Sequence, residues 1–358
     1  MQKLVHAAEA AALRNIEACR EQKDFAKRLA RHCAAYRKPC TTRATFQLVS
    51  TLVPFVATVM AMIWLAERVT WLSLLLAVPL GGLMVRLFII QHDCGHGSFF
   101  SSRRANDAIG RAMSLLTFTP YGLWRRVHAK HHATSGNLDG RGAGDIETLT
   151  VQEYLARTPG GRLRYRLYRH PLFLFLLGVP AFFMIIQRIP WGHPLPFRET
   201  WKSVVGLDLA IAIAYGLIGW LISLKVLLLI ALPSLIVASA IGGWLFFIQH
   251  QFEDTHWAES DDWDFQIAAV QGSSYYVLPP VLNWFTGNIG LHHIHHLNSM
   301  VPNYRLQECL EASSDFKALN RLSLLESFKC ARLTLWDEEH RRLIGFSDLR
   351  GRLTAARG

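Results

Sequence analysis

Cysteine is scarce in this chain, and carboxylates are outnumbered by cationic side chains. The six cysteines (Cys19, Cys33, Cys40, Cys94, Cys309, Cys330) form no CxxC pair and follow no regular spacing. This argues against a disulfide framework and reads as reduced thiols in a reducing compartment. No internal repeat, low-complexity tract or Gly/Ser linker appears. The first 45 residues are charged and helical in pattern, so no cleavable signal peptide is expected there.

What the chain has in abundance is apolar sequence. Hydrophobic residues make up 51% of its 358 positions, with a mean hydropathy of +0.18, a membrane-protein composition. Phe46 to Ala66, Trp71 to Ile90 and Val226 to Ile248 are each long enough, at about 20 residues, to cross a hydrocarbon core. Val204 to Leu224 qualifies if Asp208 is tolerated. Pro171 to Gln187 is apolar but short and interrupted by Pro180.

The net charge is +11, and this excess flanks the apolar runs, which argues against nucleic-acid binding. By the positive-inside rule the basic N-terminal segment and the stretch from Arg103 to Arg169 belong to the cytoplasm. The connections at Glu67 to Thr70 and around Lys225 are nearly free of cations. If Pro171 to Gln187 crossed, the residues after His250 would face the compartment opposite to His92. If it lies along the interface or dips in and returns, two helical hairpins put every polar segment on one side. The expectation is therefore an all-α integral membrane protein with four transmembrane helices in two hairpins under a cytosolic helical cap. Residues 1–45 form a cytosolic helical segment, 46–310 the membrane domain, and 311–358 a helical cytosolic tail. Both termini are cytoplasmic, in a bacterial inner membrane.

The 16 histidines are unevenly spread. His92 and His96 stand four apart in "HDCGH", on one helical face. His128, His131 and His132 in "HAKHH" share a face, and His292, His295 and His296 repeat the same HxxHH spacing, with His293 on another side. Eight imidazoles exceed the needs of one ion, since a catalytic zinc takes about three protein ligands. Two metals are the economical count. Imidazole alone does not choose among Fe, Zn, Cu and Ni, and carboxylates are not interleaved in the ExxH manner of soluble di-iron bundles. The remaining reading is a histidine-rich di-iron centre at the cytoplasmic membrane face. His6, His32, His170, His193, His256 and His340 stand alone and read as surface or interfacial.

"QHDCGHGSFF", "WRRVHAKHHATSGNLDGRGAGDIETLTVQEY", "IQHQFEDTHW" and "SSYYVLPPVLNWFTGNIGLHHIHHLNSMVPNYRL" resemble, in order and spacing from about residue 85 to 310, the membrane fatty acid desaturase family. The closest branch is the bacterial and plastid-like acyl-lipid one that contains the Δ12 (omega-6) enzymes. The resemblance implies four membrane helices under a cytosolic cap and two irons on the box histidines His92, His96, His128, His131, His132, His292, His295 and His296. It also implies O2-dependent insertion of a double bond. His250 stands where the family's acyl-CoA branch has a ninth ligand. That branch has an asparagine four residues earlier, where this chain has Phe246, and Asn288 is a candidate replacement.

Breaking an unactivated C–H bond is beyond any side chain, so the hard step falls to metal and oxygen while the protein supplies placement. The acyl chain is expected in a narrow apolar tunnel. "TPGG" at 158–161 lacks the histidine of a fused haem module, so electrons come from a separate carrier. A basic face suits an acidic ferredoxin. A first-double-bond (Δ9-type) desaturase, or a hydroxylase, ketolase or decarbonylase on the same centre, remains open, as does a metal transporter or haem electron carrier. The latter two would place histidines near mid-bilayer.

Overall fold

The computed structural model describes residues 17, 20–142, 144–192 and 196–355. His6, His193, Cys19 and most of the first 19 residues lie outside that range. Helix α1 covers residues 20–34. It leads through Cys40 into α2 (Thr41–Ala66), then α3 (Thr70–Leu75) and α4 (Ala77–His96). A polar stretch follows with α5 (Arg103–Thr117), α6 (Tyr121–Thr134), α7 (Val151–Ala156) and α8 (Pro159–Tyr168). After the broken helix Pro171–Arg188 come α9 (Phe197–Ile222) and α10 (Leu224–His250). The chain closes over these with α11 (Phe265–Gln271), α12 (Pro280–Phe285), α13 (His292–Leu297) and α14 (Asn303–Glu311).

Among the described residues five helices are long and apolar enough to cross a membrane: Thr41–Ala66, Thr70–His96, Pro171–Arg188, Phe197–Ile222 and Leu224–His250. Four match the runs expected from sequence, each extended by polar residues that keep the helix going past its apolar stretch. Valines, isoleucines and tryptophans such as Val53, Trp64, Ile213 and Trp220 face outward, a reversal of the soluble pattern that only an apolar solvent rewards.

The tight turns of the two hairpins meet far from the polar stretch, where Met62, Ala66, Ala77 and Leu80 pack against Val226 and Ile230. Helices α4 and α10 run so close that a Cβ on Gly81 would stand 2.6 Å from Val237 Cγ1. Gly97, at φ 76°, ends α4 in the left-handed conformation just after His96.

The broken helix contains a π turn (Leu174–Gly178) and a 3-10 turn (Ile186–Arg188). At its start Arg169 donates to Gln251 Oε1 at 3.0 Å, beside the end of α10. At its other end Gln187 lies 3.5 Å from Thr119 Oγ1, and the Thr119 carbonyl accepts from Gln91 at 3.1 Å, one residue before His92. Between them Val179 packs on Gly243, seven residues before His250. That is a depth of about 10 Å at 1.5 Å per residue.

The C-terminal tail carries helices at Ser314–Ala318, Leu324–Cys330 and Phe346–Ala355, and short strands besides. β3 (Arg321–Ser323) pairs in parallel with β2 (Tyr275–Val277). β4 (Leu335–Asp337) lies between β1 (Leu149–Thr150), parallel, and β5 (Arg342–Ile344), antiparallel. Strands of two or three residues carry too little periodicity to be read, and their partners lie far off in sequence. The fold is helical with two small sheets stitching the tail to the loops around the histidines.

Candidate metal centre

Four elements bring the histidines together. α4 contributes His92 and His96 from its last turn, α6 contributes His128, His131 and His132, and α10 ends on His250. α13 contributes His292, His295 and His296. Ser274 ties the last two elements, its N–H donating to the Gln249 carbonyl at 3.0 Å while its own carbonyl accepts from His292 N at 3.2 Å.

All nine converge, in two groups. His92, His96, His128, His132 and His295 form one, and His131, His250, His292 and His296 the other, with ligand atoms inside each group all within 4.8 Å of one another. The HxxHH faces are therefore divided: His131 and His132, adjacent in sequence, serve different groups. The groups touch through His132 and His296, whose rings stack at 4.1 Å.

In the first group His132 Nε2 lies 3.1 Å from Nε2 of both His128 and His295. In the second, His250 Nε2 lies 3.1 Å from Nε2 of both His131 and His292. The outer nitrogens fix what these atoms are. His250 Nδ1 is 3.0 Å from the Gly272 carbonyl, which can only accept, so the proton is on Nδ1 and Nε2 presents a lone pair. His131 Nδ1 donates to Asp145 at 2.5 Å, and His92 Nδ1 to Asp93 at 2.9 Å. Lone pairs facing one another at this distance repel unless a cation draws them together, and one proton cannot bridge four nitrogens. Buried His96 Nε2 and His296 Nε2 have no hydrogen-bond partner. Nitrogen donors about 3 Å apart suit an ion bound at about 2.0–2.1 Å from imidazole. Either group could hold a metal.

Burial pushes the pKa values of His128, His132, His292, His295 and His296 well below the ordinary histidine value, and the neighbouring imidazoles push them further. All five stay neutral at physiological pH, the form a metal needs.

The family resemblance is matched by direct comparison. The profile described as Fatty acid desaturase matches residues 69–323, which contain all nine histidines. The chain belongs to the fatty acid desaturase family. This desaturase, an oxidoreductase, is 39% identical over 323 residues to the protein named fatty acid desaturase from Bacillus subtilis, covering 89% of this chain and 90% of that one. It is 30% identical over 253 residues to the sn-1 acyl-lipid omega-3 desaturase (ferredoxin) of Synechocystis, covering 65% and 64% of the two chains. To the sn-1 oleoyl-lipid 12-desaturase of the same organism it is 23% identical over 261 residues, with 68% and 67% covered.

The lone histidines fall elsewhere. His293 is buried against Tyr275 and Phe316, and burial pushes its pKa down to about 4. His32 meets the Cys309 carbonyl at 3.0 Å, His170 is exposed, His256 is half-buried, and His340 pairs with Asp337 at 3.0 Å. Phe246 packs its ring against His131 and His250, at 5.2 and 5.9 Å. Asn288 adopts φ 59°, its carbonyl accepting from Leu291 N in the turn before α13.

Sequence reasoning missed the groups that orient the ligands. Asp93 also accepts from Asn303 N and Nδ2, at 2.6 and 2.9 Å, and Gln47 of α2 donates to Asn303 Oδ1 at 2.8 Å. The available signal was chemical, because a ligating imidazole needs an acceptor for its second N–H. Asp93, beside His92, was the nearest candidate. Gly272 acts through its backbone and left no side-chain signature.

Proposed function

We propose that this desaturase inserts a cis double bond into an acyl chain of a membrane glycerolipid, at the Δ12 position of a C18 chain, with two irons on the two histidine groups. The observation that carries the reading is the pair of adjacent, all-histidine groups at the polar ends of apolar helices. Two irons there, with O2, supply an oxidant able to break an unactivated C–H bond. In the overall balance two adjacent methylenes lose two hydrogens. O2 takes these with two external electrons and two protons and leaves as two waters.

The protein's own residues hold and orient. Asp93, Asp145 and the Gly272 carbonyl keep His92, His131 and His250 turned with Nε2 inward, and neutral histidines present lone pairs without first losing a proton. Phe246 seals one side of the second group with an apolar ring, which suits an acyl chain better than water.

Four of the five candidate helices are read as spans. Both ends of Pro171–Arg188 touch residues beside the histidine-bearing ends of α4 and α10, which supports a segment that dips and returns. The basic N-terminal region and the cations between Arg103 and Arg169 support a cytoplasmic histidine face in a bacterial cell membrane. An acyl tail already in the bilayer reaches this face without passing through water, a transfer worth about 0.8 kcal/mol per CH2. Relatives named as ferredoxin-dependent acyl-lipid desaturases support the lipid substrate and a ferredoxin-type electron donor. The Δ12 position rests on the sequence resemblance.

Gas chromatography of fatty acid esters, after expression in a host rich in monounsaturated C18 lipids, tests the proposal. We expect an O2-dependent diunsaturated C18 product. A monounsaturated product made only from saturated chains would overturn the Δ12 position, and a hydroxylated product would overturn desaturation.

A further inference from the structure

Two depressions border the elements that carry the histidines, and their charges are opposite. One, of about 510 Å³, reaches His131 and His250 and is rimmed by Asp139, Asp145, Glu147 and Glu153 against one cation, Arg141. Arg141 is itself held by Glu153 at 2.6 Å. The other, of about 400 Å³, is an open groove between α1 and the end of α13, lined by Lys27, Arg31 and Arg37 together with Gln266 and Asn298.

The groove's three cations are exposed, and two of them, Arg31 and Arg37, are uncommitted. Among the described residues Arg31 and Arg37 make no ion pair, and the only carboxylate near Lys27 is Asp24 at 4.0 Å. Most other cations near this face are neutralised: Lys23 by Asp264, Arg28 by Asp315 and Arg43 by Glu308. The groove is also rigidly seated. Ala26, Leu29 and Cys33 on the opposite side of α1 are buried in the same core as Ile294 and Leu297 of α13. Its floor residue Asn298 is two positions from His296, so their Cα atoms stand at most about 7.6 Å apart.

We infer that this groove is the docking face of an acidic one-electron carrier protein of the iron–sulfur type. The inference rests on the desaturation reading, which requires two external electrons per double bond. Two reduced carriers dock in turn, and each is oxidised by one electron, which enters the site over the short path beside α13. A cationic groove with unpaired side chains attracts an acidic partner and speeds its encounter. The carboxylate rim of the larger depression repels the same partner.

Steady-state turnover of the full chain in lipid vesicles, driven either by a reduced plant-type ferredoxin or by dithionite with a small mediator, tests this. For the variant K27E/R31E/R37E we expect the KM for ferredoxin to rise roughly ten-fold or more, with kcat nearly kept. Mediator-driven turnover should be unchanged. The milder K27Q/R31Q/R37Q, which adds no new charge, should move KM the same way by less and flatten its dependence on salt. Ferredoxin kinetics unchanged in both variants would overturn the docking face. An equal loss with both donors that tracks the anionic lipid content of the vesicles would also overturn it, and would assign the groove to lipid headgroups. Absence of any double bond with either donor in the unaltered chain would instead strike the desaturation reading.

Discussion

The two histidine groups are built from the same side chain, yet their surroundings differ. In the first, the carboxylate behind His92 is sealed: the Asp93 side chain is 1% exposed and is bound by Asn303 of α14, which Gln47 of α2 holds in turn. Trp124 stacks on His128 at 4.5 Å. In the second, the Asp145 side chain is 24% exposed and lines the depression that reaches His131 and His250. One group is locked into the helical frame, while the other borders a depression. Ligand type sets affinity for the metal, and what stands behind the ligands sets access.

Losing a ligand should erase the contrast between the groups. His132→Ala in the first and His292→Ala in the second are each expected to abolish product and to lower iron measured by elemental analysis of the purified protein. His293→Ala, outside both groups, should keep its iron. Equal iron loss in His293→Ala would refute the division into nine ligands and one packed histidine.

Removing the carboxylates should separate the groups. Asp93→Asn and Asp145→Asn are each expected to cost about 10–100-fold in metal affinity or activity, as supports of ligating imidazoles do. Only Asp93→Asn should also lower thermal stability, by about 1–3 kcal/mol, because it weakens the acceptor of two buried Asn303 donors. Comparable melting shifts for the two variants would remove the distinction between a locked and an open group.

Acid should act on both alike. His128, His132, His292, His295 and His296 stay neutral in the fold, whereas in the unfolded chain they take up protons near pH 6.5. Their contribution to stability is thus complete above that pH and is lost as pH falls below it. Melting of the metal-free protein should drop steadily from pH 7 to 5. A flat profile would mean that the imidazoles are hydrated rather than buried.

How much of this was legible in the sequence varies with the range of the interaction. The four long helices were readable because apolar length is a local property. Their true ends were not, since Phe197 to Ser203 continues α9 through polar residues that no apolar count includes. The histidine boxes were readable from spacing on one face. Their division was not, because His131 and His132 point to different sides of α6 and only the packing of α10 and α13 decides which partners each meets. The β1–β4 pairing joins Leu149 to Leu335, a register set by tertiary contact alone.

Arg86 carries a consequence for how the chain is made. It lies six residues before His92 within α4, buried, with its guanidinium bound to Thr51 Oγ1 at 3.0 Å and to the Trp284 carbonyl, and stacked 4.2 Å over the Trp284 ring. An Arg at the centre of a membrane helix costs about 2.5–3.5 kcal/mol on insertion scales. Thr51 is already in place when α4 emerges, but Trp284 follows 198 residues later. At about 5–20 residues per second, that is roughly 10–40 s of synthesis. During this interval the newborn hairpin holds a half-satisfied charge. The arrival of α12, just ahead of the last three ligands, relieves it, so burial of the first hairpin and closure of the histidine site are completed by one late step of translation.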